Sequence, residues 1–264
     1  MRIDRELVER IEWSAASLCI RQTDALSRHP SGTRATARSL DRGALVSFGR
    51  GSFVNRGIGL GLGGTPAATL VQQLIEFYER LDLEPSIEVG AWVDADLLAA
   101  LASAGFVTTQ FRSVYVRGVD DIPTMPPVHI ERVDSSTFEA RKAIVAHPAA
   151  PGTPERQVSD DYNDATEHLE GLIHLVARHQ GEVAACGTVA VQSGVAHFMG
   201  GVTLPAARRN GLQSALLAER LRLAAANGCD VATVTAMPGT QSATNVERLG
   251  FELLYTQSIM TRPA

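Results

Sequence analysis

The chain has 264 residues, 45% of them hydrophobic and 5% aromatic, with a formal net charge of -5. That length exceeds one ordinary domain and suits two, each able to bury a core of its own. The acidic balance excludes a general nucleic-acid binder, because neutralising phosphates takes a basic face and no run of the sequence supplies one. Cys19, Cys186 and Cys229, odd in number and far apart, spell neither a disulfide framework nor a zinc knuckle.

In chain order, "MRIDRELVERIEWSAASL" opens the sequence. It carries charges throughout and has no apolar h-region, so it predicts an amphipathic helix; no later stretch approaches ~18 uninterrupted apolar residues. A cytoplasmic protein with no membrane partner is the expectation. Next, "GLGLGG" at 59–64 satisfies the letters of G-x-G-x-x-G and precedes a helical pattern from Pro66 to Arg80. The following strand, "SIEVGAW", offers Glu88 in its middle and no acid at its end, and no βαβ series follows. The glycines are therefore expected in a strand that packs closely, rather than at a dinucleotide.

"VDDIPTMPP" at 119–127 cannot continue a strand or helix and marks a boundary between domains 1–120 and 121–264. Beyond it, "VHIERVD" predicts a strand and "STFEARKAIVAH" a helix. "AHPAAPGTPERQVSDDYNDA" is rich in turn formers and acids and is expected to be a loop, over a substrate site or in plain solvent. The turn signals "HQGE" and "QSGV" then divide 172–204 into three strands of a meander. A helix after Gly211 ends at Asn227-Gly228, glycine being the cheap left-handed C-cap, and the strand "DVATVTAM" follows.

The two halves match at a fixed distance. A shift of 145 lays "FVTTQFRSVYVR" from Phe106 on "FELLYTQSIMTR" from Phe251, and pairs the 66–80 helix with 211–225. This is one unit written twice: strand, helix, strand, short helix ending in Gly-Phe, strand. The expected class is α/β (α+β), two tandem domains, each a mixed, mainly antiparallel sheet flanked by helices.

Where a strand turns directly into a helix, unpaired N–H groups and the positive end of the macrodipole make an anion site. In "VTLPAARRNGLQSALL", Gly211 removes a side chain where a phosphate would approach, and Arg208 and Arg209 add charge. A Walker loop is excluded, since the chain's one lysine, Lys142, lies elsewhere.

That stretch, with "NVERLGF" after it, resembles the GNAT superfamily of acyl-CoA-dependent N-acyltransferases, whose signature Gln/Arg-x-x-Gly-x-Gly/Ala is met by Arg208 and Gly211 and imperfectly by Gln213. The resemblance covers 128–264 and, through the repeat, 44–117 more distantly. It implies acetyl-CoA as co-substrate, no metal, and the coenzyme diphosphate on Arg208, Arg209, Asn210, Gly211, Leu212, Gln213 and Ser214. It also implies that the pantetheine arm pairs with the strand before the turn, at Gly201, Val202 and Thr203. Gln213 departs from the pattern and must either point away or donate to the phosphate.

Gly200 and Gly201 are residues expected at a bulge or close backbone approach. Strand parity places His197 on one face with Met199, Gly201 and Thr203. The family's strand carboxylate falls on His197, a base of ordinary pKa about 6.5, set against a purely structural histidine. The family's tyrosine acid is replaced by Val246, leaving Tyr255 or water as substitutes. His168, His174 and His179 lack metal-ligand spacing. In the first copy the shift puts Gly63, Gly64, Thr65 and Pro66 where the arginines and Gly211 stand, and proline has no N–H to give. The first copy is thus expected to be degenerate. The implied activity is N-acetylation of a small-molecule amine by direct transfer; the alternative is a CoA-binding or ligand-sensing module without turnover. Either a monomer or a homodimer fits.

Overall fold

The computed structural model describes residues 3–31, 33–146 and 148–263. Helix α1 (Arg5–Ser27) starts where the Asp4 carboxylate accepts the Leu7 N–H, an N-cap, and buries Leu7, Val8, Ile11 and Leu18 along one face. The first half continues with β1 (Thr36–Leu40), β2 (Gly43–Ser47), β3 (Arg56–Ile58), α2 (Ala67–Glu79), β4 (Ser86–Val89), α3 (Ala95–Ser103) and β5 (Val107–Gly118). The second comprises β6 (Ile130–Arg132), α4 (Phe138–Val145), α5 (Pro154–Thr166), β7 (Leu172–His179), β8 (Glu182–Gln192), β9 (Val195–Thr203), α6 (Leu212–Ala226), β10 (Val231–Ala236), α7 (Gln241–Arg248) and β11 (Glu252–Thr261).

The repeat is visible element by element. Adding 145 to the first residues of α2, β4 and β5 (67, 86, 107) gives the first residues of α6, β10 and β11 (212, 231, 252). All strands join one mixed sheet in the order β1-β2-β3-β4-β11-β5-β10-β9-β8-β7-β6. The closing strand of each half lies in the other half: β5 pairs with β10, and β11 with β4. Between them β5 and β11 run antiparallel from Val116↔Glu252 to Val107↔Thr261. Residue 120 therefore separates the repeats in sequence but not two hydrogen-bonded sheets.

Equivalent cores flank the sheet. Leu70, Leu74 and Tyr78 of α2 pack with Leu97 and Leu101 of α3, and Leu217 and Leu221 of α6 pack with Val246 of α7 and Phe251. Helix α1 bridges the halves, with Ser14 Oγ donating to the Gln192 carbonyl at 3.0 Å and Arg10 paired to Asp230 at 2.8 Å.

Two segments differ from the sequence reading. Residues 154–166, expected as a loop, form α5, started by the Thr153 hydroxyl accepting the Arg156 N–H with proline in the first turn. Its inward face mixes Val158, Tyr162 and Ala165, at helical spacing, with the buried polar residues Asp161, Asn163 and Thr166, so the short apolar period was outweighed by the turn formers and acids around it; His147, before it in the chain, lies outside the described residues. "GLGLGG" is a turn rather than a strand. Gly59, Gly61 and Gly64 hold positive φ, and the Asp41 carboxylate accepts N–H groups from Gly61 and Gly63, both at 2.9 Å, and Thr65 at 3.0 Å.

Candidate acyltransfer site

The site begins where two parallel strands part. β9 and β10 pair from Val195↔Val231 to Phe198↔Val234 and no further, although β9 runs on to Thr203. At the parting point Gly200 adopts φ +59, and the β8 register steps from Thr188↔Met199 to Cys186↔Val202, so Gly200 and Gly201 together face Gly187. This is the expected bulge. It also corrects the parity argument: the extra residue turns Val202 onto the face of Met199, packed near Ile144 and Cys186, and so Gly201 and Thr203 do not share the face of His197 and Met199.

After β9, a short 3-10 turn at Pro205–Ala207 leads to Arg208, Arg209, Asn210 and Gly211, all four exposed. Arg209 and Gly211 both take left-handed φ, +67 and +76, which aims the chain into α6. The Asn210 amide holds the turn by donating to the Ala207 and Arg208 carbonyls, both at 3.2 Å. No side chain caps α6, its first turn contains no acid, and a Cβ at Gly211 would meet nothing within 4 Å. The dipole end is open. Gln213, two residues in, is drawn sideways: its carbonyl accepts from the Asn245 amide of α7 at 2.6 Å.

On the other face of the sheet, the split opens into a cavity of about 570 Å³. Both halves build it: α1, α4 and α5 roof it, and strands from β3 to β7 floor it. Most of the lining is apolar, including Ile11, Leu18, Phe48, Val145 and Val158. Among the described residues, six buried side-chain atoms lack a hydrogen-bond partner, and four of them belong to residues lining this one cavity: Arg141 Nε, Thr233 Oγ1, Gln257 Oε1 and Arg56 Nη1, the last of which has an ion-pair contact with Glu88 at 3.3 Å. Buried polar groups are normally satisfied, so this concentration marks a place built for a polar occupant.

The charged groups are arranged in pairs and one triad. Arg56 lies 3.3 Å from Glu88, which Arg112 also bridges, and Arg112 donates to Thr235 Oγ1 at 2.7 Å. Glu12, on α1, accepts from the Tyr255 hydroxyl and, at 2.9 Å, from the Gln257 amide. Burial pushes Glu12 up to about 7, with those two hydrogen bonds opposing the rise. Nothing in the sequence pattern singled Glu12 out; the signal available was one acid on the buried face of an amphipathic helix.

His197 lines the same cavity, with Nε2 at 2.6 Å from Ser14 Oγ, and burial lowers it to about 4, so it is neutral at physiological pH. Tyr255 lies there too, buried, its pKa raised well above the usual phenol by burial and by Glu12. The turn from Arg208 to Ser214 lies outside the cavity lining, which reaches β9 at Met199 and Gly200. Val246, on α7, is turned into the core and buried. No group of three metal-ligating residues occurs among the described residues, and no helix among them is long and apolar enough to cross a membrane.

A splayed strand pair, a bulge, and an uncapped arginine-started helix come together at one end of this mixed α/β sheet. Residues 142–251 match the model of the acetyltransferase (GNAT) family, and the chain carries a GNAT acetyltransferase domain there. Among solved structures it is similar to a GCN5-related N-acetyltransferase from Kribbella flavida, at TM-score 0.62 and 20% identity, over 95% of this chain and 96% of that one. It is also similar to a GCN5-related N-acetyltransferase from Sphaerobacter thermophilus, at TM-score 0.55 and 16% identity, over 79% and 72%. These likenesses extend the fold to both halves. The chain has no significant match among curated proteins.

Proposed function

We propose that the protein transfers an acetyl group from acetyl-CoA directly to the amine of a small molecule. The observation that carries this is the junction of three features: the open turn at Gly211, the strand edge freed beyond Phe198, and the two-half cavity behind it. In this reading the diphosphate lies on Arg208, Arg209, Asn210, Gly211, Leu212, Gln213 and Ser214, and pantetheine pairs with Gly201, Val202 and Thr203. The thioester then reaches the split, where a β9 N–H is the oxyanion donor.

Glu12 takes the amine's proton. A carboxylate poised near neutrality is a stronger base than an imidazole held near 4. His197, the base expected from strand position, instead fixes α1 to β9 through Ser14. Tyr255, expected as the acid, holds Glu12 in place. A thiolate whose thiol has an ordinary pKa of about 8.5 leaves without a dedicated acid, which fits Val246 standing where the GNAT resemblance implies a tyrosine. The same Val246 favours the second reading, a CoA-binding sensor without turnover.

The two separate in one assay, thiol release from acetyl-CoA with a panel of primary amines. Turnover is expected to rise through pH about 7 as Glu12 ionises, and Glu12→Gln to lower kcat by roughly 10²–10⁴. Binding of acetyl-CoA with no thiol release for any amine would establish the sensor. The first copy, in this reading, binds no coenzyme and serves to wall the acceptor cavity.

A further inference from the structure

Arg141 is the most anomalous group in the cavity. It sits on α4, 2% exposed, with Nη1 donating to Asn163 Oδ1 at 2.7 Å and Nη2 to Thr188 Oγ1 at 3.2 Å, while Nε has no acceptor. Both partners are neutral, and among the described residues no carboxylate lies within salt-bridge distance. The adjacent Lys142 is paired with Asp164 at 2.8 Å and Glu139 at 3.4 Å, and Glu167 acts on Arg141 only at a distance. Arginine does not shed its proton under such burial, and a buried charge without a counter-ion is strongly disfavoured. An occupant that brings an anion removes that cost.

From these groups we infer that the acceptor is an amino acid with an apolar side chain, its carboxylate held by Arg141; this rests on the acyltransfer reading above. Arg56 and Arg112, on β3 and β5, are engaged with Glu88; the unpartnered groups beside the split itself differ by type. On the β8 side Arg141 offers a donor. Across the split, Thr233 on β10 and Gln257 on β11 leave an unpartnered hydroxyl and an unpartnered carbonyl, both able to accept an amine's N–H. Thr188, whose hydroxyl accepts from Arg141 Nη2, and Thr233 lie on strands two places apart in the sheet, a span of about 10 Å. That interval suits one small molecule bearing both a carboxylate and an amine. Ile11, Leu18, Phe48, Val158 and Tyr162 wall the rest of the cavity and fit an aliphatic or aromatic side chain.

In the reaction, a bond forms between the amino nitrogen and the acyl carbon as the carbon–sulfur bond breaks. The nitrogen's proton passes to the carboxylate of Glu12, and coenzyme A leaves with the electron pair as thiolate. The product is an N-acetyl amino acid.

The test measures thiol release from acetyl-CoA with phenylalanine, phenylalaninamide and phenethylamine, which share a side chain and an amine and differ in the carboxylate. Phenylalanine is expected to exceed the other two at least tenfold in kcat/KM, and Arg141→Gln to collapse that ratio. Equal kcat/KM for all three, or a ratio that survives in folded Arg141→Gln, overturns the inference. A second measurement needs neither the variant nor turnover: N-acetylphenylalanine is expected to raise the melting temperature of the unaltered protein and its amide not to, equal shifts overturning the inference. Stabilisation by acetyl-CoA without any carboxylate preference removes this inference alone. Absence of acetyl-CoA stabilisation removes the acyltransfer reading, and the two N-acetyl ligands still decide about Arg141.

Discussion

Loops 59–66 and 204–211 occupy the same place in the repeat, each turning a strand edge into a long helix, and they present opposite answers to the same electrostatic problem. In the first, Asp41 reaches from the β1–β2 turn and fills the loop with a carboxylate, hydrogen-bonded to three N–H groups. By the 145-residue shift these N–H groups correspond to those of Ala206, Arg208 and Asn210. A Cβ at Gly63 would come within 2.4 Å of that carboxylate, so the glycine is there for the acid. In the second loop no internal acid arrives, two arginines replace the glycines, and the helix end faces solvent. A turn of N–H groups at a helix start favours an anion; one copy carries its own, and in the proposed function the other takes one from outside.

The comparison breaks most sharply at Gly211. Acetyl-CoA at about 100 times its dissociation constant should stabilise the unaltered protein by about 2.7 kcal/mol. Gly211→Pro imitates Pro66 of the first copy, forcing φ from +76 toward the region near -65 that proline requires and deleting one N–H. The ligand-dependent rise in melting temperature is expected to vanish, whatever the change in baseline stability. Next in size is the converse: Asp41→Ala leaves three N–H groups without their acceptor and should cost about 1–2 kcal/mol, discounted for partial exposure. It should leave the acetyl-CoA shift intact. If the shift fell instead, the first loop would have to be a coenzyme site too.

Much of this contrast was legible in the sequence, and the limits of legibility have physical causes. Arg208, Gly211 and the meander before them form a local pattern, in which hydrophobic period, turn residues and missing side chains all lie within a short window. The 145-residue repeat was readable for the same reason, and it predicted α2 against α6 and β4 against β10. Asp41 was not readable, because its partners lie 20 to 24 residues away and only the folded hairpin brings them together. The same is true of Glu12, whose partners Tyr255 and Gln257 are more than 240 residues distant. The exchange of β5 and β11 is a choice between equivalent edges that no local pattern encodes. The bulge was expected at Gly200 and Gly201, but its consequence for parity was missed: one inserted residue reverses every side chain beyond it.

A smaller effect sharpens the comparison at the arginines. Arg208→Ala should remove about 0.5–1 kcal/mol of the acetyl-CoA shift, the scale of an exposed charge at a helix end, while Gly64→Ala in the first copy should leave that shift unchanged. A loss that disappears at high salt would identify the contribution as screened charge rather than as turn geometry.

The smallest effect is a dependence on pH. Hydrogen bonds from Thr65, Gly63 and Gly61 overcome the desolvation of Asp41 and hold it below the ordinary carboxylate value. A depressed folded-state pKa means that the unfolded chain binds the proton more readily. The stability Asp41 contributes is therefore fully present above its unfolded value near 3.8 and is lost as the pH falls through its lower folded value. Asp41→Asn keeps one acceptor oxygen but no charge, so it should melt below the unaltered protein at neutral pH, and the gap should close on acidification below about pH 4. A gap of constant size down to pH 2 would mean that the loop prizes the shape of the side chain and not its charge, and the likeness between Asp41 and a bound phosphate would fail at its electrostatic step.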